Sequence, residues 1–129
     1  MITVTGTREN YIARMEADRG TAHPTFADIP VEQGGSNEYM RPGETLLSAL
    51  GACMNITARK YLNRDSLPYE QVTVQLEMKQ TEGVTHILTR MEIVGALSDE
   101  DKARITAEVA SCPVCSILSG PIQLGRLDG

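Results

Sequence analysis

Between Pro42 and about Asn63 the residues Leu46, Leu47, Leu50, Cys53, Met54, Ala58, Tyr61 and Leu62 recur at spacings of three and four. That period predicts one long helix with a broad apolar face. Pro42 suits its first turn, where the missing N–H costs nothing. A helix this apolar must be covered by other elements, so it dictates what the flanking sequence has to supply. Gly51-Ala52 in its middle predicts a closely packed neighbour, because small residues let backbones approach.

The flanks supply strands. "ITVTGT" alternates as a strand should, and "YIARMEADRG" and "TAHPTFADIP" follow it, with Gly20 as the turn between them. Pro24 places the third of these short strands at an edge or a bulge. "VEQGGSNEYMRPG" is a loop by composition, and long loops in small domains are often functional. After the helix, "EQVTVQLEMKQ" and "THILTRMEIVG" alternate around Glu82-Gly83, which predicts an antiparallel hairpin of two long strands. Ser98 caps a further helix whose buried face carries Ile105 and Val109, with Asp101 completing a capping box. Cys112-Pro113 breaks that helix and starts a short one ending at Ser119-Gly120, and "PIQLGRL" is expected to close as a last strand. Helices and strands are segregated, so the class is α+β. The 129 residues suit a single domain, 1–129.

Composition excludes several functions. The net charge is −5, with no basic patch, so nucleic-acid phosphates are not expected partners. No segment reaches the roughly 18 apolar residues of a membrane span, and "MITVTGTREN" lacks the basic and apolar regions of a signal peptide. Three cysteines, an odd number, argue against a secreted disulfide framework. The expectation is a cytoplasmic protein with reduced thiols. Three cysteines with His23 and His86 form no two pairs at finger-like spacing, so no metal is expected.

The thiols are the candidate reactive groups, each with core packing as the alternative. Pro113 at the first helical position makes Cys112 the residue at a helix N-terminus, where unsatisfied N–H groups favour a thiolate. The segment alone leaves open a reactive thiol and a buried core cysteine. Cys115 completes a C-P-x-C, yet only 14 residues follow it, too few for the sheet that follows such a motif in thioredoxin-like folds. Cys53 sits on the apolar stripe of the long helix, with Glu44 nine residues upstream and several arginines in the N-terminal segment. A buried thiolate requires a nearby cation, and arginine can bridge a thiolate and a carboxylate.

The stretch "DIPVEQGGSNEYMRPGETLLSALGACMNITARKYL", residues 28–62, resembles the signature of the OsmC/Ohr family: D-x-P, then G-G, then P-x-E-L-L-x-A-L-G-x-C. "ASCPVCSILSG" resembles its second signature, C-P-V followed by a short helix. The two cysteines stand 59 residues apart with a hairpin between them. The resemblance covers essentially the whole chain. It implies an intertwined α+β homodimer, with two central helices wrapped by antiparallel sheets and two active sites at the interface.

The resemblance further implies a thiol-dependent reduction of an organic hydroperoxide or similar small molecule, with no metal or organic cofactor. Cys53 is then the peroxidatic thiol and Cys112 the resolving one. Glu44 is the carboxylate that holds the arginine, and Arg8 in "TGTREN" is that arginine, with Arg41 the second choice. A dithiol reductant would reopen the disulfide, leaving Cys115 as a packing residue or a spare thiol. The glutamate stands nine residues before the cysteine, where the peroxidase branches have ten, which is nearer to the less characterised OsmC-like branch. Two rival readings follow: a small-molecule binding protein on the same fold, and a Cys112–Cys115 dithiol oxidoreductase or sensor.

Overall fold

The structure is a computed structural model and describes residues 1–128. The chain divides into two compact units, Met1–Leu46 and Leu47 onward.

The first unit is a three-stranded antiparallel sheet in the order β1 (Ile2–Thr5), β2 (Ala13–Ala17), β3 (Thr25–Ala27). Val4 lies opposite Met15, and Met15 in turn opposite Thr25. The loop after β3 is organised by Asp28, which is 1% exposed. Its carboxylate accepts backbone N–H bonds from Ile29 at 2.8 Å, Ser36 at 3.3 Å and Glu38 at 3.2 Å. Burial pushes this carboxyl up, but those three backbone donors outweigh it and hold the group below its ordinary value. The loop closes only because of its paired glycines. Gly34 has φ +95°, and a Cβ on Gly35 would meet the Ile29 carbonyl oxygen at 2.1 Å. Phe26 and Tyr39 stack at 5.0 Å across the same loop.

α1 (Pro42–Arg64) starts in the first unit and runs through the boundary into the second. The second unit adds the hairpin β4 (Gln71–Thr81) and β5 (Val84–Val94), then α2 (Asp99–Val109) and α3 (Pro113–Ser119). The hairpin turn is Glu82-Gly83, with φ +53° and +79°. Both central residues are left-handed, as a tight two-residue hairpin requires. Ser98 accepts the Asp101 N–H at 3.0 Å, so the expected cap is present.

The core of this unit joins α1 to everything that follows it. Leu50, Met54, Ala58 and Leu62 from α1 pack with Val72 and Ile93, which face each other across the hairpin, and with Ile105, Val109 and Cys112. Gly51 is the close approach expected of it, since a Cβ there would meet Leu76 at 2.7 Å. Asn55 donates to the Val72 carbonyl at 2.9 Å, tying α1 to β4. At the other end of α1, Arg64 bonds Asp65 and Glu108, and Arg104 bonds Asp65 at 2.9 Å.

One expectation fails. The segment 121–126 forms no strand. Pro121 has no N–H to give a ladder, and Ile122, Leu124 and Leu127 remain exposed. No helix of the described residues is long and apolar enough to cross a membrane.

Two predictions follow from the core and the ion pairs. Leu62 is fully buried, so Leu62→Ala is expected to lower unfolding stability by about 2–5 kcal/mol in urea titration; a change below about 1 kcal/mol would contradict the packing described. Hydrogen bonds from Arg64 and Arg104 hold Asp65 well below the usual carboxylate range, and bonds from Arg64 and then Arg104 lower Glu108. Depressed carboxyls contribute stability above their unfolded pKa, about 4, that is lost as pH falls through the folded value. Melting temperatures taken from pH 6 down to pH 2 should therefore fall more steeply for the wild type than for Asp65→Asn. Parallel curves would show that the network does not act on stability.

Candidate functional site

The head of α3 gathers all three cysteines. Its first amides can be accounted for one by one. Pro113, at the first helical position, has none. The Val114 N–H donates to Cys53 Sγ at 3.5 Å. The Cys115 N–H donates to Cys112 Sγ at 3.3 Å, so Cys112 is an N-cap through sulfur, as its place before Pro113 predicted. The Ser116 N–H bonds the Cys112 carbonyl at 2.9 Å. Two of the amides that a helix start leaves orphaned are thus satisfied by cysteine sulfurs. A negative charge on either sulfur would strengthen these bonds.

The burial of the three differs. Cys112 is 1% exposed, within the core. Cys53 and Cys115 are half-buried. Cys53 arrives from the middle of α1, held in place by its neighbours Leu50 and Met54 in the core. Cys115, one turn into α3, opens on a cleft of about 410 Å³ whose apolar wall includes Leu50, Met54, Ile87, Met91 and Leu118.

Cys112 and Cys115 are joined as a disulfide, with Cα atoms 5.0 Å apart, while Cys53 is free. This is the pair that the rival reading of a Cys112–Cys115 dithiol requires, and it places Cys115 against Cys112 and not apart from it. The spacing that capping requires brings Cys115 back over Cys112, well inside the Cα range a disulfide allows. The sequence signal was the C-P-x-C itself, which looks incidental only when judged against thioredoxin-like topology.

The remaining candidates lie in the first unit. Arg8 is exposed in the loop between β1 and β2. Glu44, in the first turn of α1, accepts the Arg41 N–H at 2.9 Å and pairs with its guanidinium at 3.7 Å. The second-choice arginine is thus the one seen on Glu44. Sequence reasoning missed Asp28, although it had singled out the D-x-P and G-G elements that this carboxylate and the two glycines explain. No group of three or more His, Cys, Asp or Glu among the described residues is placed to hold a metal.

Comparison with known proteins bears on the family and the fold. The family model described as OsmC-like protein matches residues 35–125. Among solved structures, an OsmC-like protein from Mycoplasma pneumoniae superposes with a TM-score of 0.76 at 19% identity, covering 93% of this chain and 86% of that one. An organic hydroperoxide resistance protein from Legionella pneumophila gives 0.66 at 19% identity, covering 93% and 88%. An organic hydroperoxide resistance protein from Elizabethkingia anophelis gives 0.66 at 21%, covering 95% and 89%. At these identities the likeness is one of fold. No curated protein matches the sequence.

Peptide mapping of non-reduced protein alkylated under denaturing conditions should find Cys53 labelled and Cys112 linked to Cys115. A Cys53–Cys112 link in untreated protein would contradict the pairing described.

Proposed function

This chain belongs to the OsmC-like family, and from that membership we propose that it reduces organic hydroperoxides through its thiols. Cys53 is the peroxidatic residue and Cys112 the one that resolves it. The observation that carries the reading is that these two sulfurs, 59 positions apart in sequence, accept from neighbouring amides of α3. Hydroperoxide resistance is what two of the structural relatives are described as conferring, which favours the same substrate class.

The chemistry runs in three steps. The Cys53 thiolate, held by the Val114 N–H, attacks one peroxide oxygen and breaks the O–O bond. The other oxygen leaves as an alkoxide and is protonated to an alcohol, and Cys53 becomes a sulfenic acid. The Cys112 thiol attacks that sulfur and expels water, forming a disulfide. A dithiol reductant then takes the disulfide back to two thiols by exchange. Arg8 is assigned to hold the thiolate and Glu44 to orient the arginine, with Arg41 as the alternative partner because of its pairing with Glu44.

A second reading is favoured by one observation, the Cys112–Cys115 bond. On that reading the C-P-x-C is itself the working dithiol of an oxidoreductase, and Cys53 only packs behind it. The experiment that separates the two is peroxide consumption by reduced protein with dithiothreitol and cumene hydroperoxide. Cys53→Ser should lose turnover, by about a hundredfold or more, as expected when a covalent nucleophile is removed. Retained turnover in that variant would transfer the chemistry to the C-P-x-C.

The protein is also proposed to act as a homodimer. α1 leaves Leu46 and Ile56 exposed, β1 leaves Ile2 and Val4, and the C-terminal segment leaves Ile122, Leu124 and Leu127. Exposed apolar side chains in each unit favour a partner of the same kind. Light scattering at micromolar concentration should give twice the 14.1 kDa chain mass; a monomer mass would overturn the assembly.

A further inference from the structure

We propose that Cys115 is a second resolving thiol, which moves the disulfide from Cys53–Cys112 to Cys112–Cys115 and so frees Cys53 before any reductant acts. The inference rests on the proposed peroxidatic role of Cys53.

Cys112 stands between two possible partners. On one side is Cys53, whose sulfur accepts the Val114 N–H. On the other is Cys115, whose own N–H bonds Cys112 Sγ and whose Cα is 5.0 Å away. The step is a thiol–disulfide exchange. The Cys115 thiolate attacks Cys112 Sγ, a new Cys112–Cys115 bond forms, and the Cys53–Cys112 bond breaks. Its electron pair leaves on Cys53 as a thiolate. The proton lost by Cys115 goes to solvent through the cleft that this residue lines. No net oxidation occurs, because the two electrons removed by the peroxide remain missing from one pair of sulfurs throughout.

Direction and benefit both follow from the site. The leaving thiolate on Cys53 is received by the Val114 amide, and a stabilised leaving thiolate speeds exchange. The disulfide pair that results is the one the structure holds, with Cys53 free. Cys112 is buried, which shields its sulfur from a dithiol reductant. In the first disulfide it would have to reach Cys53, the peroxide's own target. After the exchange it meets Cys115, which opens on the cleft bordered by Ile87, Met91 and Leu118. Peroxide and reductant thus use different sulfurs.

The test is time-resolved disulfide mapping after one equivalent of cumene hydroperoxide. It uses fully reduced wild type, Cys115→Ser, Cys115→Ala and Cys53→Ser, quenched in acid and alkylated. In the wild type Cys53–Cys112 should appear first and decay into Cys112–Cys115, with Cys53 regaining its alkylation. Both Cys115 variants should stop at Cys53–Cys112, with Cys53 lost to the alkylating agent. A wild type that also stops at Cys53–Cys112 would overturn the relay while leaving the peroxidatic role intact. Formation of Cys112–Cys115 in Cys53→Ser at the wild-type rate would overturn both, because the pair would then be oxidised directly.

Discussion

The interaction on which the site depends is the satisfaction of a helix start by sulfur. α3 is short, and its first turn would ordinarily be capped by a hydroxyl or carboxylate oxygen. Here a proline removes one amide, and the next two donate to Cys53 and Cys112. The same bonds that cap the helix therefore fix where two cysteine sulfurs lie. Loss of either sulfur is a structural event as well as a chemical one. The backbone makes no distinction between holding the helix together and holding a reactive group in place.

Bringing Cys53 to that point requires the core beneath it. α1 can present a cysteine to the head of α3 only if Leu50, Met54, Ala58 and Leu62 are seated against Val72, Ile93, Ile105 and Val109. Gly51 leaves room for the Leu76 side chain, whose tip a Cβ there would meet at 2.7 Å. Arg64, Asp65, Arg104 and Glu108 clamp the far end of α1 to α2. In the first unit a single buried carboxylate, Asp28, orders the long loop, and Gly35 lets the chain close around it. In each unit a carboxylate is held by the donors that meet it, backbone amides at Asp28 and guanidinium groups at Asp65.

Much of this is legible in the sequence, for definite reasons. The 3.6 period of 42–63 and the alternation around Glu82-Gly83 are strong because each element has one buried face. Ser98 and Cys112-Pro113 are readable because capping is a local rule. The segment 121–126 misled, because alternating apolar residues resemble a strand whether or not a neighbouring edge is present to pair with them. The Cys112–Cys115 bond was underestimated for another reason. Spacing alone shows that two thiols can meet, but the choice among three depends on which amides and which core atoms surround each one. The same holds for Glu44, whose pairing with Arg41 depends on the first turn of α1 and not on any long-range pattern.

The central claim is that Cys53 is the thiol that meets the peroxide. Its most direct measurement is trapping of the sulfenic acid by dimedone in the Cys112→Ser/Cys115→Ser double variant, where no second thiol can condense with it. After one equivalent of cumene hydroperoxide, mass spectrometry of the digested protein should place a single dimedone adduct on Cys53. Unconsumed peroxide together with an unmodified Cys53 would contradict the account.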